Sequence, residues 1–221
     1  MIALGIGEID LDRTILLDDF PLEGTKVVPR KVEASIGGPV ASALILLAKL
    51  GVECYFVASV GDDEAGEILK RKLQKEGVKL LANKVSRTKV HQVIVNNRNG
   101  SRTIIKDNTQ RETIKSVSMH LVQTADIILF DRHEPDAFAD VMFKKRSDTK
   151  IVVDPSDEVS AKTIEMIKAS TYPILPIEAL SKFRRHEGLA ENLRSAYEIA
   201  ERPLIITWGG NGSLYLSLIH I

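Results

Sequence analysis

The stretch that decides the fold is Ser35–Gly51, S-I-G-G-P-V-A-S-A-L-I-L-L-A-K-L-G, in which two glycines lead directly into a small apolar helix. Because glycine has no Cβ, Gly37 and Gly38 allow a positive φ and a close approach of the backbone to another group. Pro39 suits the first helical position, and Gly51 suits a left-handed cap at the end. The free N–H groups of the first helical turn favour an anion or a hydroxyl oxygen. The alternative is a tight turn that only packs the helix against a sheet.

The rest of the chain alternates short apolar, β-branched runs with longer segments of helical period. Continuous apolar strands separated by helices are typical of a parallel sheet covered on both faces. The sequence therefore predicts an α/β protein, a three-layer α/β/α sandwich around a mainly parallel sheet. The predicted strands are 2–6, 54–60, 127–130, 151–153, 174–175 and 204–207, and the predicted helices are 40–50, 64–76, 111–123, 136–145, 157–169 and 187–201.

Two segments alternate with period two instead, and each follows an early strand of the main sheet. The first covers about residues 10–34 and the second about 90–107, where Asn99-Gly100 favours a hairpin turn. We expect them to form a small antiparallel β lid over the ligand-binding edge of the main sheet. Such a sheet can also pair edge to edge with a second subunit, which makes a homodimer through the lid a candidate assembly.

Composition sets broad limits on function. The chain has 221 residues, with 30 Lys and Arg against 30 Asp and Glu, so no overall field attracts nucleic acid or an anionic membrane. The single cysteine, Cys54, cannot form an intrachain disulfide, which favours a reducing compartment. No run reaches the roughly 18 apolar residues that a membrane span needs. We therefore expect a soluble, cytoplasmic protein.

Motif checks remove several classes of enzyme. Gly5-x-Gly7 follows a strand, but the third glycine of a dinucleotide fingerprint would fall at Asp10. The sequence contains neither a P-loop nor the G-x-S-x-G elbow of hydrolases, and no Cys or His pairs have zinc-site spacing. A Rossmann oxidoreductase, a P-loop enzyme and a zinc enzyme are therefore not indicated.

Polar residues follow two of the later strands. The run Asp131-Arg132-His133-Glu134-Pro135-Asp136 comes after the strand 127–130, at the carboxyl edge where open α/β sheets bind ligands. It is a ligand contact, a solvated helix cap or a metal site. The metal site is the least favoured of the three, because adjacent loop residues rarely point at one metal. Asp154 holds a similar position and is either a ligand contact or a cap for a helix near Asp157. The segment 207–212 is a glycine-rich turn that would cradle a nucleotide, or a plain hairpin.

Taken in order, these motifs resemble the ribokinase-like or PfkB family of carbohydrate kinases over nearly the whole chain. Leu4-Gly5-x-Gly7-Glu8-Ile9-Asp10 is similar to the first strand of the family and its substrate-contacting Asp. Gly37-Gly38-Pro39-Val40-Ala41-Ser42 resembles the first signature, G-G-x-x-x-N, with Ser42 in place of Asn. The match continues with V-G-D-D-x-x-G at 60–66 and with T-x-G-x-x-G at 207–212.

The resemblance implies an ATP-dependent kinase that phosphorylates a sugar or sugar-like alcohol with ATP and Mg²⁺. The implied substrate-binding residues are Glu8, Asp10, Gly37, Gly38 and Ser42, to which the position after a strand adds Asp131 and His133. The implied nucleotide-binding residues are Thr207, Gly209, Gly210 and Gly212. Glu8 stands where many ribose kinases have Asn, so Glu8 and Ser42 argue against a plain ribose kinase.

Two departures from the family pattern affect catalysis. The N-x-x-E motif that organises magnesium aligns with Ile177-Glu178-Ala179-Leu180, which leaves Glu178 as a candidate one place off. The second signature, D-T-x-G-A-G-D, supplies the general base and the anion hole of the family, and it does not occur in this sequence. We therefore expect residues 1–221 to form an incomplete, C-terminally truncated kinase domain that is inactive by itself. The apolar residues 217–221 suggest a truncated reading frame or a foreign terminal scar.

Two other functions remain open on the sequence. A non-catalytic descendant would bind a sugar or nucleoside, or dimerise through the lid. Alternatively, a separate chain would supply the missing signature.

Overall fold

The computed structural model describes residues 1–109, 112–183 and 188–217. The regular elements of this part of the chain are twelve strands, seven α-helices and two short 3₁₀ turns, Ile177–Ala179 and Gly209–Asn211. The strands are β1 (Ile2–Ile6), β2 (Asp10–Leu17), β3 (Lys31–Gly37), β4 (Glu53–Gly61), β5 (Val78–Val85), β6 (Val90–Asn96), β7 (Arg102–Ile105), β8 (Ile127–Asp131), β9 (Lys150–Asp154), β10 (Tyr172–Pro176), β11 (Leu204–Thr207) and β12 (Ser213–Leu216). The helices are α1 (Pro39–Lys49), α2 (Glu64–Lys75), α3 (Met119–Thr124), α4 (Pro135–Lys144), α5 (Ala161–Ala169), α6 (Leu180–Phe183) and α7 (Leu189–Ala200).

The main sheet has eight strands in the order β12-β11-β10-β9-β8-β1-β4-β5. All neighbours are parallel except β11 and β12, which form an antiparallel hairpin. Successive residues of β1 point to opposite faces, so Ala3 packs with α1 and α2 while Leu4 and Ile6 pack with α3 and α4. Helices therefore cover both faces, and the predicted three-layer sandwich is confirmed.

The largest difference from the predicted helices lies before β8. The helix predicted over 111–123 is reduced to α3, and its first residue lies outside the described part of the chain. The backbone N–H of Ile114 donates to Glu134 at 2.7 Å, and that of Val117 donates to Asp140 at 3.0 Å. Because side chains satisfy these N–H groups, residues 112–118 do not need helical hydrogen bonds.

Other differences have similar local causes. The helix predicted over 157–169 begins only at Ala161, because Ser160 and Thr163 form a reciprocal capping box. The edge strand β5 was not predicted, since its alternation of buried and exposed residues gives no continuous apolar run. The predicted start of the helix 187–201 and the terminal residues 218–221 lie outside the described residues.

The smaller sheet forms from the two predicted lid segments. Its strand order is β3-β2-β6-β7, in which β2–β3 and β6–β7 are antiparallel hairpins. The two hairpins join through a parallel pair, β2 with β6. Strand β3 ends at Gly37, three residues beyond its predicted end, and leads into α1. The lid and the first helix are therefore covalently continuous through the double glycine.

The Gly37–Gly38 turn brings bare backbone against the loop after β1. Gly38 has a φ of +98°, and a Cβ there would collide with the backbone carbonyl oxygen of Glu8. A Cβ on Gly37 would collide with the carboxylate of Asp10. Gly51 has a φ of +85° but open space around it. The turn is thus a close approach, whereas Gly51 is only a helix terminator.

Asp63 ties the main sheet to the base of the lid. Its Oδ1 accepts a hydrogen bond from the Gly66 N–H at 2.8 Å and caps α2. Its Oδ2 accepts from the Thr88 N–H, also at 2.8 Å, just before β6 begins. The Thr88 hydroxyl in turn accepts from the Gly61 N–H at 2.9 Å. This network accounts for Gly61, Asp63 and Gly66 of the sequence V-G-D-D-x-x-G, whereas Asp62 is exposed.

No helix in the described part of the chain has the length and apolarity required to cross a bilayer.

We predict that Gly38→Ala lowers the free energy of unfolding more than Gly51→Ala does. Both changes place a side chain at positive φ, which costs about 1–2 kcal/mol, but only the Gly38 variant adds a collision with the Glu8 carbonyl. We expect an additional loss of about 1 kcal/mol or more for Gly38→Ala in urea denaturation. Equal losses for the two variants would contradict the close approach.

A second prediction concerns Asp63, for which the exposed neighbour Asp62 is the control. Asp63→Ala removes a helix cap and a link to the lid, so we expect a loss of about 1–2 kcal/mol in the free energy of unfolding at pH 7. Asp62→Ala should change it by less than about 0.5 kcal/mol. Chemical denaturation with circular dichroism measures both.

The Asp63 effect should also depend on pH. Desolvation acts to raise the pKa of Asp63, but hydrogen bonds from Thr88 and Gly66 outweigh it and lower the pKa below its usual value. A lowered pKa stabilises the fold above the unfolded value, near pH 4, and this stability is lost as pH falls through the folded pKa. The difference between wild type and Asp63→Ala should therefore shrink below about pH 4. A constant difference down to pH 2 would contradict this assignment.

Candidate functional site

The site begins where two neighbouring parallel strands end. Because β1 and β8 pair in parallel, their carboxyl ends lie at the same edge of the main sheet. Glu8 lies in the loop after β1 and Asp10 begins β2, while Asp131 ends β8 and His133 follows it by two residues. The structure therefore brings together four of the predicted substrate-binding residues.

Glu8 lies at the centre of a charged cluster. Its Oε1 is 2.8 Å from Lys89 Nζ, and its Oε2 is 2.9 Å from His133 Nε2. Asp131 is buried and positions this cluster through the backbone. It accepts a hydrogen bond from the Glu8 N–H at 2.6 Å and another from the His133 N–H at 2.8 Å. A Cβ at position 7 would lie 2.6 Å from the Asp131 carboxylate, so glycine at this position leaves room for Asp131.

Asp10 belongs to a second cluster at the base of the lid. His91 Nδ1 lies 3.3 Å from Asp10 Oδ1 and 3.7 Å from Asp12 Oδ1. Burial raises the pKa of Asp12 to about 6, and the neighbouring Asp10 carboxylate adds to this shift. The Asp10 carboxylate raises the pKa of His91. Burial and the neighbouring carboxylate therefore favour a proton on Asp12, and the two carboxylates favour a charged His91.

The first turn of α1 lies beside these clusters. Gly37 and Gly38 contact the Asp10 carboxylate and the Glu8 backbone in the way described above. Ser42 is exposed, and its hydroxyl donates to the Gly38 carbonyl at 3.0 Å. The double glycine thus borders the acidic residues directly, whereas the Ser42 hydroxyl is bound within its own helix.

A second cleft lies farther along the same edge of the sheet. It has a volume of about 750 Å³, and its lining includes Asp154, Glu178, Thr207 and, from the lid, Arg102. Burial raises the pKa of Asp154. Asp154 accepts from the Ser156 N–H at 2.8 Å and does not cap α5, whose cap is Ser160.

The glycine-rich turn follows Thr207 directly. Gly209 and Gly212 have φ values of +47° and +88°, and the Trp208 N–H donates to the Gly212 carbonyl at 2.8 Å. Gly210 is exposed between them, with open space around its Cα. The turn therefore closes the β11–β12 hairpin with a backbone hydrogen bond. Its glycines are exposed to solvent beside the cleft.

The residues of the polar run 131–136 lie in two different environments. Asp131 and His133 belong to the Glu8 cluster. Glu134 is fully buried and accepts from the Ile114 N–H at 2.7 Å, which makes it a structural residue. Glu134 precedes α4, but it is buried and its side chain makes no cap hydrogen bond, so the interpretation as a solvated cap is wrong for this residue. The ligand contact of Asp131 and His133 stays a prediction.

Sequence reasoning missed four residues around the site: Asp12, Lys89, His91 and Arg102. All lie in the lid or next to it. The period-two alternation could have indicated Asp12, because residues 10 and 12 share one face of β2. His91 lies opposite Asp12 on β6. The partner strand could not be identified from a single sequence.

Comparisons with known proteins agree with this geometry. The profile described as "pfkB family carbohydrate kinase" matches residues 3–219. The ATP-dependent ribose-1-phosphate kinase of Halopiger xanaduensis is 25% identical over 142 residues, 62% of this chain and 48% of the relative. The ribokinase of Bacillus subtilis is 23% identical over 174 residues, 76% of this chain and 59% of the relative. The chain therefore spans between about half and three fifths of the length of these curated relatives.

A solved structure shows the same fold. The Arabidopsis thaliana ribokinase complexed with ribose and ATP superposes with a TM-score of 0.74 at 17% identity, covering 98% of this chain and 75% of the other. The likeness of fold and the match of the profile over almost all of the residues lead to one conclusion: this chain belongs to the pfkB family of carbohydrate kinases.

Proposed function

We propose that this chain binds a sugar or sugar-like alcohol between Glu8, Asp10 and the Gly37–Gly38 turn, as the substrate half of an ATP-dependent carbohydrate kinase. One observation carries the proposal: acceptors and donors alternate around this edge of the sheet. Glu8 and Asp10 supply carboxylates, while Lys89 and His133 supply N–H groups within 3 Å of Glu8. Sugar hydroxyls both donate and accept, so they match such a mixed set.

The second cleft is the proposed nucleotide site. Thr207 and the open glycines 209, 210 and 212 would approach ATP closely, because glycine leaves the backbone accessible. Arg102 in the cleft lining supplies a positive charge for phosphate oxygens. The carboxylates of Asp154 and Glu178 line the same cleft and are hard oxygen ligands that fit Mg²⁺. When bound, Mg²⁺ would neutralise phosphate charge, as it does in other kinases.

We further propose that this chain binds without turnover when it is alone. The printed sequence has no D-T-x-G-A-G-D motif, which holds the general base and the anion hole of the family. Phosphoryl transfer depends on positioning and charge stabilisation, so their loss costs several powers of ten, at about 1.4 kcal/mol each. In this proposal residues 1–221 are one incomplete ribokinase-like domain of a cytoplasmic enzyme, with the lid inserted at about 10–34 and 90–107.

A second candidate function is a dimeric binding module without catalysis. The observation that favours it is the lid, whose outer strands β3 and β7 each have one side without a neighbouring strand in the described sheet. Large apolar side chains are exposed on or near both edges: Phe20, Leu22, Val27, Val28, Val32, Ile104 and Ile105. Two lids that pair would cover this surface.

The experiment is calorimetry with ribose, fructose, inositol and adenosine, each with and without ATP. We predict binding of at least one of them, and a loss of about tenfold or more in affinity for Asp10→Asn, because a charged hydrogen bond is removed. Glu33→Gln on β3 is the control, since Glu33 is exposed and paired with Lys31. It should leave the affinity unchanged.

Release of ADP in the same samples separates binding from catalysis. Absence of sugar binding across the panel would contradict the substrate half of the proposal. Turnover by the chain alone would contradict the proposed lack of catalysis. Sugar binding without nucleotide binding, together with dimers in sedimentation, would favour the second candidate.

A further inference from the structure

The cluster at the base of the lid has the composition of a metal site. One donor atom from each of Asp10, Asp12 and His91 lies within 4.8 Å of the other two. An imidazole nitrogen and carboxylate oxygens are the donors that Zn²⁺ and similar divalent ions accept. None of the three was predicted as a metal ligand from the sequence, because they come from two strands that are far apart in the chain.

The distances within the cluster match a small coordination shell. In a tetrahedral site with bonds of roughly 2.0–2.1 Å, neighbouring donor atoms lie about 3.3–3.4 Å apart. His91 Nδ1 is 3.3 Å from Asp10 Oδ1 and 3.7 Å from Asp12 Oδ1. A cation among these atoms would therefore need only small side-chain movements.

An independent observation points to a missing ligand. The Asp10 side chain is 7% exposed, and its buried Oδ1 has no hydrogen-bond partner in the part of the chain that the structure describes. Its neighbour is His91, whose Nδ1 lies 3.3 Å away. Buried carboxylate oxygens are costly when they are left without a partner. The atom faces the other two donors, where a bound cation would compensate it.

Electrostatics supports the same conclusion. Two carboxylates, Asp10 and Asp12, lie beside one imidazole, so their negative charges repel each other when both are ionised. A divalent cation among the three donor atoms removes this repulsion. Gly37 contributes space, since a Cβ at this position would collide with the Asp10 carboxylate.

We propose that Asp10, Asp12 and His91 bind one divalent metal ion of borderline softness, with Zn²⁺ as the best match, and that water completes the coordination. The ligands Asp10 and Asp12 are two residues apart on β2, and His91 lies opposite Asp12 on β6. The ion thus cross-links the two hairpins of the lid at their base. This part of the inference stands on the cluster alone.

A consequence follows for substrate binding, and it rests on the proposed function. Asp10 is the carboxylate expected to contact the sugar, so a metal ion on Asp10 occupies the same acceptor. Zn²⁺ and the sugar should therefore compete.

The test is a calorimetric titration of the chain with Zn²⁺ in a buffer that does not bind metals. Substitution with Co²⁺ gives visible absorption that reports a tetrahedral geometry. We expect one site per chain in the wild type, and affinity weaker by about tenfold or more in Asp12→Asn and in His91→Gln. His120→Gln, on the exposed surface of α3, is the matched control and should bind as the wild type does. Circular dichroism of each variant confirms that it is folded.

The outcomes separate the two proposals. Absence of a one-to-one site, or equal affinity in wild type, Asp12→Asn and His91→Gln, overturns the metal site. If the site is present, a sugar from the panel should bind more weakly with Zn²⁺ in the wild type but not in His91→Gln. Unchanged sugar affinity overturns the competition. If no sugar binds at all, the proposed function fails, while the metal site is still decided by the titration alone.

Discussion

The absence of side chains at Gly37 and Gly38 is the constraint on which the rest of the site depends. A Cβ on either residue would meet the Asp10 carboxylate or the Glu8 carbonyl, so any other residue would push β3 and α1 away from the loop after β1. This approach holds lid, helix and main sheet within contact of one another. Both acidic residues are consequently presented at the carboxyl edge of the sheet, next to the free N–H groups of α1.

The charges of the site are arranged in pairs that differ in how well they are compensated. Glu8 has Lys89 and His133 within 3 Å, and Asp131 fixes both Glu8 and His133 through the backbone. Asp10 and Asp12 share the single imidazole of His91. Each carboxylate oxygen of Glu8 has its own nitrogen partner, whereas the two carboxylates of the second cluster lie beside one imidazole. Ligand chemistry is therefore concentrated at the base of the lid.

Much of the architecture was predictable because buried strands are continuous apolar runs and their helices carry clear boundary residues. Strand β1 and helix α1 were located to within a residue, and Gly51 follows the end of α1 with the positive φ expected of it. The contacts between distant segments of the chain were harder to predict. The sequence does not show that Asp12 lies opposite His91, or that Lys89 reaches Glu8, because these contacts join segments about 80 residues apart. The short helix α3 also depended on distant carboxylates, those of Glu134 and Asp140.

The parallel pair between β2 and β6 has a consequence for the order of folding. Each lid hairpin is local, but the ladder that joins them requires the intervening β3, α1, β4, α2 and β5 to be in place. The loop-closure entropy of this non-local pairing is lost before its contacts form, so we expect the β2–β6 ladder to form late in folding. Opening this ladder breaks hydrogen bonds between β2 and β6 and none within either hairpin. The two hairpins can then separate as units, while each keeps its own hydrogen bonds.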